Sequence, residues 1–159
     1  MNPTYRSYES AETFAFADGI KMKLLMSGSE TNGLQEIFED IAEPGVGPGR
    51  HIHHKQDETF IFLEGTFDVE IDGKLHRMKK GDVALVPKGT VHAWKNVGTN
   101  KGRLIYIFTP SLNVEEMFRE LNEAWIKGKL TEENIVQIMH KYPEQEMVGP
   151  PLKARFEMH

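Results

Sequence analysis

The chain has 159 residues, no cysteine and a formal net charge of −5, with 19 lysines and arginines interspersed among 24 acids. That length suits one domain with a substantial core, and the missing thiols exclude disulfides, thiolate zinc sites and cysteine nucleophiles and fit a reducing, cytoplasmic setting. No basic stripe is present to attract a nucleic acid, no run of about 18 apolar residues points to a membrane, and the first residues lack the pattern of a signal peptide.

Residues 1–19 read as an N-terminal arm. From Ile20 to Thr109 the apolar residues come in short runs, at 20–26, 34–41, 59–63, 67–71, 74–78, 83–86, 91–94 and 103–108, separated by glycine and proline. Such spacing predicts an all-β sandwich or barrel, and Asp72-Gly73 between two alternating runs predicts a two-residue hairpin. After Pro110 the period becomes helical. Val114, Met117, Phe118, Leu121 and Trp125 fall on one face, Asn113 is placed as N-cap with Glu116 three residues on, and Gly128 as terminator. A second helix is expected from Thr131, with Ile135, Ile138, Met139 and Tyr142 on one face, ending before Pro143. These faces call for a β-domain or a dimer partner to cover. The organisation is thus an arm (1–19), a β-barrel domain (20–110) and a helical extension of the same domain (111–159), mainly β with two C-terminal α-helices.

Segment 51–58, HIHHKQDE, concentrates histidines in a chain that has only 7. In a strand, His51 and His53 share one face while Ile52 and His54 point to the other. Glu58 would fall on the wrong face of a continuous strand, so 55–57 must turn, and Glu58 then opens the next strand and points back at the pair. Alternation puts Phe60 and Phe62 on the Glu58 face as an apolar wall. Pro87 and Gly89 predict a tight turn into a strand on which His92 and Trp94 share a face. Three imidazoles and one carboxylate suit a divalent first-row metal (Fe, Mn, Ni, Co, Cu or Zn), with two octahedral positions left for substrate, water or O2.

An isolated His-x-His in a β-protein is usually surface or satisfied core, and it is the matching placement of Glu58 and His92 that favours a ligand set. His54 reads as a surface residue or a support for the ligands. His76, His140 and His159 read as solvated, and Arg50 and Asp57 either hydrogen-bond a ligand or face water. Gly45, Gly65, Gly81 and Gly89 read as turn positions and not as a phosphate cradle, because no helix starts after them.

The patterns Gly45-x5-His51-x-His53-x4-Glu58-x6-Gly65 and Gly81-x5-Pro87-x-Gly89-x2-His92-x3-Asn96 resemble, position for position, the two motifs of the cupin superfamily. Segments 24–33, 53–65, 86–94 and 148–152, with the C-terminal helices, look like the quercetinase-like bacterial cupins. The resemblance implies a cupin jelly-roll β-barrel, a homodimer, and His51, His53, Glu58 and His92 as metal ligands. It also implies an N-terminal strand exchanged between partners, a part Phe14-Ala-Phe16 would suit.

The leading expectation is a metal-dependent dioxygenase that cleaves a small enolic or phenolic substrate, flavonol- or 1,3-dicarbonyl-like, with O2. Resemblance suggests Glu58 as the catalytic base that takes the hydroxyl proton. Phe60, Phe62 and Trp94 are expected to line the pocket, with some of Phe38, Tyr106 and Phe108, whose faces the pattern does not assign. The alternatives are a non-redox isomerase, cyclase or lyase at the same metal, and a non-catalytic small-molecule-binding module. The intact ligand set argues against the last, and a metal-free epimerase would leave His53 and Glu58 without a role.

Overall fold

A computed structural model describes residues 3–153, the side chain of Phe16 excepted; His159 lies outside the described residues. The chain runs β1 (Glu12–Ala17), β2 (Ile20–Met26), β3 (Glu36–Ala42), β4 (Gly49–His53), β5 (Asp57–Glu64), β6 (Thr66–Ile71), β7 (Lys74–Lys79), β8 (Val83–Val86), β9 (His92–Asn96), β10 (Gly102–Thr109), α1 (Val114–Ile126), α2 (Glu132–Met139) and β11 (Gln145–Pro151). Two antiparallel sheets result, one ordered β1-β2-β3-β10-β5-β8 and the other β11-β4-β9-β6-β7. This is the expected jelly roll, mainly β with both helices after it.

The inward positions alternate as the sequence pattern requires. Leu24, Phe38, Phe60, Phe62, Phe67 and Leu104 are almost fully shielded from water, each such burial contributing roughly 1.5–3 kcal/mol. The Phe62–Phe67 pair, with centroids 5.2 Å apart, joins the two sheets. Between β6 and β7 the turn is the predicted one: Asp72 and Gly73 both have positive φ, at 49° and 72°, matching the twist of the flanking strands. At Gly65, φ is 91° and a Cβ would stand 2.8 Å from Gly102 Cα, so β6 can leave β5 only through glycine.

β1 pairs with β2, Phe14 opposite Met22. Several features depart from expectation. Asn113 is left-handed (φ 59°) and its side chain caps nothing; the N–H groups of Val114 and Glu115 donate instead to the carboxylate of Glu36 on β3, at 3.3 and 3.2 Å. A tertiary acid thus replaces the local cap and anchors α1 to the sheet. Finally, the unread segment after Pro143 forms β11, whose Gln145 and Met147 lie opposite His53 and His51 on β4. α2 begins beside Thr131, close to the expected start, with the Thr131 hydroxyl capping it by accepting from Asn134 N–H, whereas α2 ends at Met139 and Tyr142 follows in a turn. Trp125, expected on the buried face of α1, is 36% exposed.

Candidate metal centre

His51 and His53 project from β4 on one face, and His92 stands directly across from His51 on β9. Glu58 reaches them from β5, in the other sheet. The turn that re-aims the chain occupies 54–56, and the strand begins at Asp57, one residue before the expected start. One donor atom from each of the four residues lies within 4.8 Å of the others. Glu58 Oε2 is 3.0 Å from His53 Nε2 and 2.7 Å from His92 Nε2.

What orients the imidazoles is a set of oxygens behind them. His51 Nδ1 donates to Gly49 O at 2.8 Å and His92 Nδ1 to Thr90 O at 3.0 Å. His53 Nδ1 donates to Gln145 Oε1, and Gln145 Nε2 in turn donates to Gln56 Oε1. Gln56 Nε2 closes the series on Pro110 O at 2.7 Å. Each ring is therefore held as the tautomer that presents Nε2 to the centre. With Nδ1 already a donor, a hydrogen bond from Nε2 to Glu58 requires a second proton, and hence positive charge, on the ring. A divalent cation among the same atoms supplies that charge without the proton, so the donor set fits a first-row metal.

The electrostatics agree. Burial, reinforced by repulsion from His92 and His53, pushes His51 down to about 3, so it is a neutral donor. Burial would raise Glu58, but His53 and His92 hold it well below the usual carboxylate range. Burial disfavours charge on His92, yet the Glu58 carboxylate and the Thr90 carbonyl outweigh it and raise its pKa.

The other candidates fall elsewhere. His54 is exposed and pairs with Glu146 at 2.6 Å; His76 and His140 are exposed, as expected. Arg50 forms a two-point ion pair with Glu70, at 2.6 and 3.0 Å, and Asp57 accepts from Lys88 N–H at 2.9 Å. Neither of the two bonds a ligand.

With His92 fully buried behind them, His51, His53 and Glu58 line a cavity of about 430 Å³. Trp94 lines it, together with Tyr106 and Phe108 from β10 and Met117, Leu121 and Ile135 from the helices. Phe60 and Phe62 do not; both are core residues, 1% and 0% exposed, with Phe60 packed against His92 at 6.1 Å between ring centroids. Strand alternation put them on the correct face, but at a depth the sheets fill. Sequence reasoning missed Asp40, which also lines the cavity. It lies two residues from Phe38 on β3, on a face that the sequence pattern did not assign. Gln56 and Gln145 were missed too, with no local signal, because their role depends on β11 lying beside β4.

Replacing Gln145 by alanine removes the oxygen that fixes His53. The metal dissociation constant is expected to rise roughly 10- to 100-fold, read by competition with a chromophoric chelator. An unchanged constant would show that the amide series has no hold on the centre.

Residues 39–108 match the family model described as the cupin domain. The HTH-type transcriptional regulator PuuR of Escherichia coli is 30% identical over 95 residues, 60% of this chain and 51% of that protein. The chain spans about half the length of the curated relatives it matches. KdgF from Halomonas sp. superposes with a TM-score of 0.65 at 18% identity, over 72% of this chain and 99% of that one. A sugar phosphate isomerase from a cupin superfamily, from Silicibacter pomeroyi, does so at 0.59 and 24%, over 69% and 76%. At these identities the structural likeness shows the fold alone. No helix among the described residues is long and apolar enough to cross a membrane. Strand topology, the match over 39–108 and the structural neighbours converge on the cupin fold for this chain.

Proposed function

We propose that this protein is a metal-dependent dioxygenase acting on a small enolic or phenolic substrate, of flavonol or 1,3-dicarbonyl type. The observation that carries the reading is a three-histidine, one-carboxylate set opening on an apolar cavity. His51, His53 and His92 through Nε2, and Glu58 through a carboxylate oxygen, would hold the metal. A divalent ion held there supplies Lewis-acid charge that acidifies an enol or phenol and a place for O2.

The chain's own residues do the rest. Trp94, Tyr106 and Phe108 face the substrate with apolar surface and exclude water. Glu58, kept ionised by its two histidines, accepts the hydroxyl proton onto a carboxylate oxygen and leaves the substrate as its anion. The imidazoles hold their orientation throughout, because each Nδ1 is committed to an acceptor behind it. The homodimer and the cytoplasmic setting belong to this proposal and rest on family resemblance and the cysteine-free composition.

The test is oxygen consumption by protein reconstituted with Fe(II), Mn, Co or Ni against flavonols, catechols and 1,3-diketones. Glu58→Gln is expected to lower turnover by roughly 10²- to 10⁴-fold, the usual scale for loss of a positioned base, while elemental analysis still finds metal. Substrate change without oxygen uptake would move the assignment to an isomerase, cyclase or lyase. Full activity of Glu58→Gln would remove the base role.

A further inference from the structure

Strand β3 carries three buried acids, and two of them have structural partners. Glu36 caps α1 through two backbone N–H groups. Glu39 pairs with Arg103, whose Nη2 is 2.5 Å from its carboxylate. Asp40 has no such employment. Its cross-strand neighbours are Met22 and Leu104, both apolar, and it is 4% exposed. It accepts one hydrogen bond, from the Tyr106 hydroxyl to Oδ1 at 3.2 Å, which leaves Oδ2 uncommitted. Both residues line the cavity that also reaches Glu58, His51 and His53. A buried acid with so little compensation costs stability, and such costs are concentrated at functional sites.

The lining sets the class of ligand. Among the described residues no lysine or arginine faces the cavity, whereas Asp40 and Glu58 do. Away from the metal centre, a phosphate or carboxylate entering it would find no lysine or arginine as countercharge and would meet acids. The remaining walls are largely apolar, and about 430 Å³ lies in the range that accepts a drug-sized molecule.

We propose that Asp40 and Tyr106 form a ligand-orienting pole, hydrogen-bonding a hydroxyl of an uncharged, mainly apolar molecule whose other end reaches Glu58, His51 and His53. Burial pushes the Asp40 carboxyl up to about 8, the charges of Glu58 and Glu39 adding to it and the Tyr106 bond opposing it. At neutral pH Asp40 is thus protonated and offers a donor as well as an acceptor, which matches a hydroxyl on both counts. The proposal rests on the reading of this cavity as the substrate pocket, and it is independent of the metal.

Binding of quercetin and of unsubstituted flavone to the metal-free full chain, by titration calorimetry, tests it. The two probes share a shape and differ in hydroxyl groups. Asp40→Leu and Tyr106→Phe are each expected to weaken quercetin at least tenfold and to leave flavone within twofold, and Asp40→Asn, which keeps a polar head, to recover most of the loss. The melting temperature of Asp40→Leu should not fall, as it would for a residue that held the fold together. Equal losses for both probes, an undiminished quercetin affinity in the variants, or a wild-type protein that binds quercetin no better than flavone or binds neither would each overturn the proposal. A chain that shows this pattern yet binds no metal keeps the pole and loses the dioxygenase reading; one that binds metal without the pattern does the reverse.

Discussion

His92→Ala is expected to abolish stoichiometric metal binding, as is His51→Ala, and turnover is expected to fall with it to the background level. The two residues face each other across the β4–β9 pair, with ring centroids 4.2 Å apart, so either substitution removes a nitrogen from the middle of the donor set. No nearby side chain replaces it: His54 points outward to Glu146. Loss of His92 also deprives Glu58 of one of the two partners that offset its burial, leaving a buried carboxylate undercompensated. In the wild-type chain, metal at a thousand times its dissociation constant adds about 4 kcal/mol to stability by mass action. That increment, seen as a metal-dependent rise in melting temperature, is expected to vanish in both variants, with elemental analysis as the direct check. Full metal occupancy in either variant would sink the ligand assignment.

Asp40→Asn is expected to make the metal-free protein more stable in alkaline solution and to flatten its stability between pH 5 and 8.5. An acid whose folded pKa exceeds its unfolded value binds its proton more tightly when folded. Its contribution is full below the unfolded value of 3.8 and is lost as pH rises through about 8. The wild-type chain therefore loses stability across that window through Asp40, whereas asparagine, with no proton to release, does not. At pH 8.5 the difference should reach at least about 2 kcal/mol, read as the gap between urea midpoints of the two proteins with chelator present. Other titrating groups, His92 among them, are common to both proteins and largely cancel in the difference. Parallel curves would show that Asp40 is not held protonated. Stabilisation by removal of a cavity-lining acid is what a residue retained for ligand binding would produce.

The legible part of the site was the part written in local geometry. His51 and His53 two apart on a strand, and His92 two before Trp94, have their relative faces settled by the two-residue period alone. Glu58 was recovered by parity: it could join the pair only if the chain turned before it, and the chain does turn, at 54–56. Asp40 shares a face with Phe38 by the same rule, but the pattern did not say which way that face points, and only the packed sheets turn it to the cavity. The capping of α1 misled in another way. Asn113 and Glu116 satisfy a local rule, but Glu36 lies close enough to take its place, and nothing near residue 113 announces that.

The amino-acid sequence by itself determined the all-β core, the hairpin at Asp72-Gly73, the two helices and the common face of the histidines, because each follows from a period or a turn preference acting over a few residues. The tertiary structure decided what depends on residues far apart in the chain: that Phe60 and Phe62 fill the core while Tyr106 and Phe108 face the cavity, and that Glu36 caps α1. It also decided that β11 brings Gln145 across 92 positions to hold His53 in place. Such pairings are chosen by how the two sheets close on each other, and closure is a property of the whole packed chain.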